Sequence, residues 1–331
     1  MHTLVTGGAG FIGSALVGRL LAEGHTVDVV DNLSSGSLWN LAEARAAAGR
    51  DLTFHQLDVR SPDVADLVVR RTPEVVWHLA GTDDVDAANV APATDADVNV
   101  VGTLRMVEAV RAAGTRKIVV ASSASVYGEL QGGRAAESSP RRPRSPHAIA
   151  KHAVDAYLAA FADVGSLVFT SLVLANVYGP LASSGVVATW AERMVSGRPC
   201  TVFGRGDQVR DFVFVDDVVD ALARAAAQGD GMILNVGTGI ATTLADLHAT
   251  MLELAGRVHR AADDDAEPVV SAETRQRGPA LGIRQGPARP GDLHASVLDP
   301  TRIGEELGWT AWTSLPDGLS AVVEGATRPR P

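Results

Sequence analysis

A short strand that runs into a glycine loop is the feature that most limits how this chain can fold. The N-terminal segment TLVTGGAGFIG spaces Gly7, Gly10 and Gly13 three residues apart, between an apolar strand and an amphipathic helix. In such a turn the first glycine permits a tight bend, the second lets a pyrophosphate approach the backbone, and the third lets the helix pack against the sheet. The phosphates would lie at the positive end of the helix. The sequence therefore predicts a dinucleotide site here.

Asp31 ends the next predicted strand, TVDVVD. A carboxylate at this position accepts hydrogen bonds from a free ribose 2′-hydroxyl and repels a 2′-phosphate. No arginine follows immediately in the segment DNLSSG. We therefore expect NAD, and not NADP, to be the cofactor.

Short apolar runs alternate with helical stretches through the first two thirds of the chain. The predicted strands are HTLVTG, TVDVVD, DLTFHQLD, VVWHLAG, KIVVASS, SLVLANVYG and the start of DFVFVDDVVDALARAAAQG. Their continuous Val, Leu and Ile character is typical of parallel strands that are covered on both faces. The pattern predicts an α/β fold with a doubly wound parallel sheet. Two segments, GRPCTVFGRGDQVRD and residues 260–295, are expected to be irregular, and the charged runs RRPR (141–144), DDD (263–265) and the tail TRPRP are expected to be solvated.

Composition excludes several classes of partner and site. The 331 residues carry a formal net charge of −10, which disfavours nucleic acid and anionic membrane as partners. Cys200 is the sole cysteine, so an internal disulfide and a thiolate zinc cluster are excluded, and no metal is expected. The N-terminus lacks a basic region and a cleavage site, and no apolar run reaches the roughly 20 residues that span a bilayer. We expect a cytoplasmic protein.

Further motifs, in order, resemble the extended short-chain dehydrogenases/reductases that epimerise, dehydrate or reduce nucleotide sugars. The resemblance covers nearly the whole chain, through TGGAGFIG, DNLSSG, LDVR, HLAG, NVVGT, SSASVYG, NVYGP, RDFVFVDD, NVGTG and RPGD. It implies a Rossmann NAD-binding domain of residues 1–176 plus about 211–240. It also implies a smaller C-terminal substrate-binding domain of about 177–210 plus 241–331, and a homodimer.

The same resemblance implies a set of NAD-contacting positions. The glycine loop adds Phe11 and Ile12, and DNLSSG adds Asn32, Ser35 and Gly36 to Asp31. The further implied positions are Asp58, Val59, Leu79, Ala80, Gly81, Asn99, Ser122 and Lys151.

The segment SPHAIAK departs from the resembled family. The family carries Tyr-x-x-x-Lys there, with tyrosine as the general acid/base, whereas this chain has His147 and keeps Lys151. Two interpretations remain open. His147 takes over the proton, because residues four apart share a helix face and neutral imidazole is a competent base near pH 7. Alternatively, His147 is a filler, and another group or the substrate supplies the proton.

The remaining motifs narrow the implied chemistry. The catalytic Ser/Thr of the family falls on Ser123, but Ala124 and Ser125 stand where its 4,6-dehydratases carry Asp-Glu. Without those carboxylates no evident acid and base would expel water, so the segment resembles the epimerase form. The resemblance places nucleotide-diphosphate contacts at Asn176, Arg210 and Arg289; structural ion pairs are the alternative for the two arginines.

We therefore expect an NAD-dependent enzyme that takes hydride from a ring carbon of a nucleotide-activated sugar, C4 by the resemblance, and returns it to give the epimer. Ser123 would hold the reacting oxygen, Lys151 would bind the nicotinamide ribose, and His147 is the candidate acid/base. Two alternatives stay open. One is a ketoreductase of a specialised metabolite whose substrate supplies the proton. The other is a non-catalytic NAD-binding sensor or scaffold.

Overall fold

Seven parallel strands form the central sheet of the computed structural model, which describes residues 1–130, 132–264, 283–287 and 292–327, with side chains described only as far as 258 in the second range. Strands in the described ranges are β1 His2–Thr6, β2 Thr26–Asp31, β3 Leu52–Gln56, β4 Val75–His78, β5 Lys117–Ser123, β6 Phe169–Leu174, β7 Asn176–Tyr178, β8 Cys200–Phe203, β9 Val209–Arg210, β10 Phe212–Phe214, β11 Met232–Val236, β12 Thr242–Thr243, β13 Ile283–Gly286 and β14 Ala295–Ser296.

Helices connect these strands. They are α1 Phe11–Ala22, α2 Ala42–Ala48, α3 Pro62–Arg71, α4 Val85–Val90, α5 Pro92–Ala96, α6 Thr103–Ala113, α7 Pro146–Asp163, α8 Gly185–Val195, α9 Val215–Ala225, α10 Leu244–Asp264, α11 Thr301–Leu307 and α12 Leu315–Ala326. A π-helical segment, Asp97–Gly102, joins α5 to α6, and a 3-10 turn, Ala124–Tyr127, follows β5.

The sheet has the strand order β3-β2-β1-β4-β5-β6-β11, and every pairing in it is parallel. The predicted doubly wound sheet is confirmed. Strand order reverses between β1 and β4, and ligands of such sheets bind beyond the carboxyl ends of the strands at this reversal. Thr6 of β1 is in register with His78 of β4, so the glycine loop emerges beside the segment that follows β4.

Apolar side chains pack against both faces of the sheet. One buried cluster includes Leu16 of α1 and Leu222 of α9. The other includes Leu67 of α3, Met106 of α6 and Leu158 of α7. Burial on both sides explains why the strands are continuously apolar. No helix in the described ranges is long and apolar enough to cross a membrane.

Three expectations about the strands were wrong. SLVLANVYG forms two strands because the chain leaves the central sheet at Ala175. The Ala175 N–H bonds to the carbonyl of Val236, whereas the next N–H, that of Asn176, bonds to the carbonyl of Asp211, which directly precedes β10 of a different sheet. The edge strand β11 was not expected, and β8, β9 and β13 lie in the two segments taken to be irregular. The domain boundaries stay a prediction.

Candidate active site

The glycine loop has the tight geometry that its spacing predicts. Gly7 adopts a φ of +69°, and a Cβ atom there would lie 2.7 Å from the backbone nitrogen of Ala80. A Cβ at Gly13 would lie 2.1 Å from the Gly7 carbonyl oxygen. The first-turn N–H groups of α1, which include those of Phe11 and Ile12, have no acceptors within the helix. The loop therefore fits a phosphate group held against bare backbone.

Asp31 shapes this loop from the end of β2. Its buried carboxylate accepts hydrogen bonds from the backbone N–H groups of Ala9, at 2.9 Å, and Leu33, at 2.8 Å. A Cβ at Gly36 would lie 3.0 Å from the same carboxylate, so the DNLSSG segment packs closely on it. Each carboxylate oxygen has a further lone pair, which suits a ribose hydroxyl.

The side chains expected around the adenosine lie together beyond β2 and β3. Asn32 donates to Asp58 at 2.9 Å, and Arg60 forms a two-pronged contact with the same carboxylate. The hydrogen bonds from Arg60 hold the pKa of Asp58 well below its usual range. Val59 is buried against Gly102. Ser35 and Phe11 line a cavity of about 200 Å³.

Gly81, Asn99 and Lys151 meet beyond the end of β4. A Cβ at Gly81 would lie 2.6 Å from Asn99 Oδ1 and 3.3 Å from Lys151 Nζ. The two residues before Gly81 are tied to Thr6: Leu79 N–H bonds to its carbonyl and Ala80 N–H to its hydroxyl, at 3.1 and 3.2 Å. These positions, scattered in the sequence, form one edge of the sheet.

Helix α7 brings SPHAIAK to this edge. Ser145 caps the helix through Ala148 N–H, and Pro146 occupies its first turn. Lys151 Nζ donates to the carbonyl of Ala121 in β5 at 3.1 Å. Burial lowers the pKa of Lys151, although Asp155 and two other carboxylates partly oppose the shift.

The expectation that RRPR is solvated was wrong for Arg141, whose side chain is 15% exposed. Arg141 pairs with the buried Asp155 at 2.5 Å, and a buried carboxylate is costly unless it is paired and hydrogen-bonded. Ser122 also donates to Asp155, at 2.9 Å, which leaves mainly the Ser122 backbone for a ligand. Ser123 keeps its hydroxyl 2.9 Å from that of Ser125.

His147 is buried, with 5% of its surface exposed. Its Nδ1 lies 3.8 Å from Oδ1 of the buried Asp95. Burial, and then the Lys151 charge, lower the pKa of His147, while Asp95 and Asp83 oppose this. The neutral ring is therefore favoured near pH 7. That His147 replaces a tyrosine stays a prediction from the resemblance.

Sequence reasoning missed Asp95 and Thr82 at this site. Asp95 accepts from Thr82 Oγ1 at 2.7 Å and from Asn99 Nδ2 at 2.8 Å. Its spacing of four residues from Asn99, which places both on one helix face, was the available signal.

The residues expected at the nucleotide end are only partly described. Asn176 N–H bonds to the carbonyl of Asp211, and Asn176 pairs with Phe212, two residues after Arg210. Arg210 pairs with Asp292 at 2.5 Å, as the structural alternative requires. Arg289 lies outside the described residues. No cluster of His, Cys, Asp and Glu in the described ranges could hold a metal ion.

Comparisons with known proteins agree with this geometry. The NAD dependent epimerase/dehydratase family matches residues 3–237. A UDP-glucose 4-epimerase of Mycolicibacterium smegmatis is 42% identical over 330 residues, covering 98% of each chain.

Two solved structures cover nearly the whole chain. The UDP-glucose 4-epimerase of Thermotoga maritima with UDP-glucose has a TM-score of 0.85 and 37% identity over 98% of each chain. That of Thermus thermophilus with NAD has a TM-score of 0.85 and 35% identity over 99% of each chain.

Proposed function

The chain belongs to the NAD-dependent epimerase/dehydratase family, and from that premise we propose that it interconverts nucleotide sugars that differ in configuration at C4. It is an NAD-dependent enzyme that acts through hydride transfer and a keto-sugar intermediate. UDP-glucose is the first candidate substrate, because it is named for relatives at 42% and 37% identity.

One observation carries the choice of epimerisation over elimination. Ser123 is followed by Ala124 and Ser125 in the 3-10 turn after β5, so no carboxylate stands there to remove and deliver the protons of water loss. Among the described residues, the Ser123 hydroxyl lies 2.9 Å from the Ser125 hydroxyl and accepts from the Ser125 N–H at 3.3 Å. A hydroxyl can hold the reacting oxygen but does not supply an acid and base for dehydration.

Separate residues of this chain would bind the cofactor and transfer the proton. Bound NAD supplies the hydride acceptor and, once reduced, the hydride donor. The glycine loop and Asp31 would hold it, and Lys151 would bind its nicotinamide ribose. His147 would take the C4 hydroxyl proton as the C4 hydride leaves, which converts the alcohol to a ketone. It would return the proton when hydride reaches the opposite face, so no net oxidation occurs.

Three residues argue against the two other candidates. A ketoreductase that takes its proton from the substrate has no need of the buried His147. A non-catalytic sensor has no need of the retained Ser123 and Lys151. A homodimer and a cytoplasmic location also stay predictions.

The test is incubation of the purified protein with UDP-glucose in deuterated water, with the anomeric protons followed by NMR. Appearance of the C4 epimer without deuterium at C4 is expected, because the same hydride returns. A 4-keto-6-deoxy product would identify a dehydratase. Consumption of reduced cofactor in proportion to product would identify a ketoreductase, and the absence of turnover with any nucleotide sugar would favour the sensor.

A further inference from the structure

The candidate acid/base and its acidic neighbour each carry a buried polar atom without a hydrogen-bond partner among the described residues. His147 Nδ1 and Asp95 Oδ2 have no hydrogen-bond partner in the part of the chain that the structure describes. Both residues are at most 5% exposed. Buried polar side-chain atoms are nearly always hydrogen-bonded, and an exception at a candidate active site calls for a functional explanation.

The Asp95 carboxylate is held firmly in place. Its Oδ1 accepts from Thr82 Oγ1 at 2.7 Å and from Asn99 Nδ2 at 2.8 Å. Asn99 in turn accepts from the Thr82 N–H at 3.1 Å. These contacts fix Oδ1, which is also the carboxylate oxygen that lies 3.8 Å from His147 Nδ1, and they leave Oδ2 without a partner among the described residues.

The gap between the two side chains is small. His147 Nδ1 lies 3.8 Å from Asp95 Oδ1, beyond a hydrogen bond but within the range of a strong charge interaction. Catalytic hydrogen bonds are often long in ligand-free geometry and tighten in the substrate complex. A modest turn of the imidazole would bring its Nδ1–H onto the carboxylate.

We infer that Asp95 is a positioning residue: it binds the Nδ1–H of His147, presents Nε2 to the substrate hydroxyl, and stabilises the imidazolium that proton transfer creates. This inference rests on the proposed function, in which His147 is the acid/base. It assigns the histidine an acidic partner that the sequence motif does not contain. The proton moves from the hydroxyl to Nε2 and back, and the carboxylate stays ionised throughout.

Every charged group facing His147 enters the balance. Lys151, one turn along α7, disfavours the imidazolium of His147. Asp95 on α5, Asp83 after β4 and a hydrogen bond to the Thr82 backbone favour it. Asp95 is buried but Asp83 is exposed, and buried charges are screened far less. Asp95 should therefore dominate the acidic side.

Asp95→Asn tests this with little disturbance. The amide oxygen can keep the bonds from Thr82 and Asn99, and the amide nitrogen replaces an oxygen that has no partner among the described residues. Removing the negative charge destabilises the imidazolium, so the pKa of His147 should fall by about one unit or more. Histidine-labelled NMR titration of the NAD-loaded protein measures it, with the His147 signal identified by its loss in His147→Ala.

The kinetic profile should move with that titration. Neutral His147 is the reactive form, so the acidic limb of kcat/KM for UDP-glucose should shift to lower pH by the same amount. The matched control is Asp83→Asn, which removes an equal charge from an exposed position and should shift both quantities less. An unchanged pKa of His147 in Asp95→Asn would overturn the inference.

A measurement on the unmutated protein guards against a variant that does not fold. Ring nitrogen chemical shifts should identify neutral His147 as the Nδ1–H tautomer, and an Nε2–H tautomer would contradict the inference. If Asp95→Asn lowers the pKa of His147 but the unmutated protein has no turnover, the pairing of Asp95 with His147 is supported and the proposed function is refuted. If turnover is lost in His147→Ala but unchanged in Asp95→Asn, the proposed function is supported and the role of Asp95 is refuted.

Discussion

A Cβ atom on Gly13 would lie 2.1 Å from the carbonyl oxygen of Gly7. Helix α1 therefore rests directly on the loop that precedes it, and this close approach is possible only because Gly13 has no side chain. The packing of the first strand–helix unit and its ability to bind phosphate therefore depend on the same close contact between Gly7 and Gly13.

Gly13→Ala should force α1 away from the loop. We expect a loss of about 1–3 kcal/mol in the free energy of unfolding, as for overpacking, and at least about tenfold weaker NAD binding by calorimetry. Gly18→Ala is the matched control in the same helix, because no described atom lies within 4 Å of its added Cβ. It should stabilise the protein by up to about 1 kcal/mol. Equal effects of the two variants would contradict the prediction.

The Asp31 carboxylate should select NAD over NADP by at least about tenfold, or about 1.4 kcal/mol. Asp31→Ala should narrow this ratio. It should also weaken binding of both cofactors, because the Ala9 N–H loses its acceptor and a buried unpaired donor costs about 1–3 kcal/mol. Calorimetry with both cofactors measures the ratio, and equal affinities in the unmutated protein would refute it.

The ion pair of Arg210 with Asp292 leads to a prediction about the nucleotide. UDP should raise the melting temperature, with a diphosphate oxygen exchanging for the Asp292 carboxylate on the guanidinium. Arg210→Ala should abolish most of that shift. Arg205→Ala is the control, since Arg205 is 82% exposed and pairs with Asp207. If both variants respond to UDP like the unmutated protein, Arg210 serves the fold alone.

Acid should destabilise the protein partly through His78. Burial, and then the Lys151 charge, lower the pKa of His78 to about 3, while an unfolded histidine titrates near 6.5. As pH falls between these two pKa values, the unfolded state binds a proton that the folded state does not bind, so the free energy of unfolding falls. Between about pH 7 and about pH 5 the loss is about 2 kcal/mol.

His78→Gln should remove that part of the pH dependence, measured by urea unfolding at both pH values. His294→Gln is the control, because the His294 side chain is 59% exposed and should leave the dependence as it is. A slope that is the same in all three proteins would show that His78 does not carry it.

The local patterns were enough to predict the sheet and the cofactor edge. Gly7, Gly13 and Asp31 act through neighbours in the same strand–helix–strand unit, so their spacing encodes their geometry. Strand membership beyond β6 depends on partners far along the chain, as the change of partner from Val236 to Asp211 at consecutive residues demonstrates. No local pattern carries that information.

The same distinction applies to the acid/base. SPHAIAK predicts that His147 and Lys151 share a helix face, because the two are one turn apart. It does not predict Asp95, which comes from another helix and is oriented by Thr82 and Asn99. Which ring nitrogen of His147 faces the substrate therefore depends on tertiary contacts.

His147→Ala is the decisive change at this site. If the imidazole transfers the proton, kcat with UDP-glucose should fall by roughly 10²–10⁴, the usual size of a general acid–base contribution. NAD affinity should hardly change, because Lys151 and the glycine loop stay in place. The acidic limb of the pH–rate profile should also disappear, since the group that titrates there is gone.

His147→Tyr is the informative companion, because it restores the motif of the resembled family. A phenol is longer than an imidazole and would have to fit beside Asp95, whose carboxylate lies 3.8 Å from Nδ1 of the His147 ring. We expect partial recovery of turnover relative to His147→Ala, with the acidic limb moved toward higher pH, as a group with a higher intrinsic pKa requires. Nearly full turnover in His147→Ala would exclude the histidine and leave the proton to the substrate or to another group near Ser123.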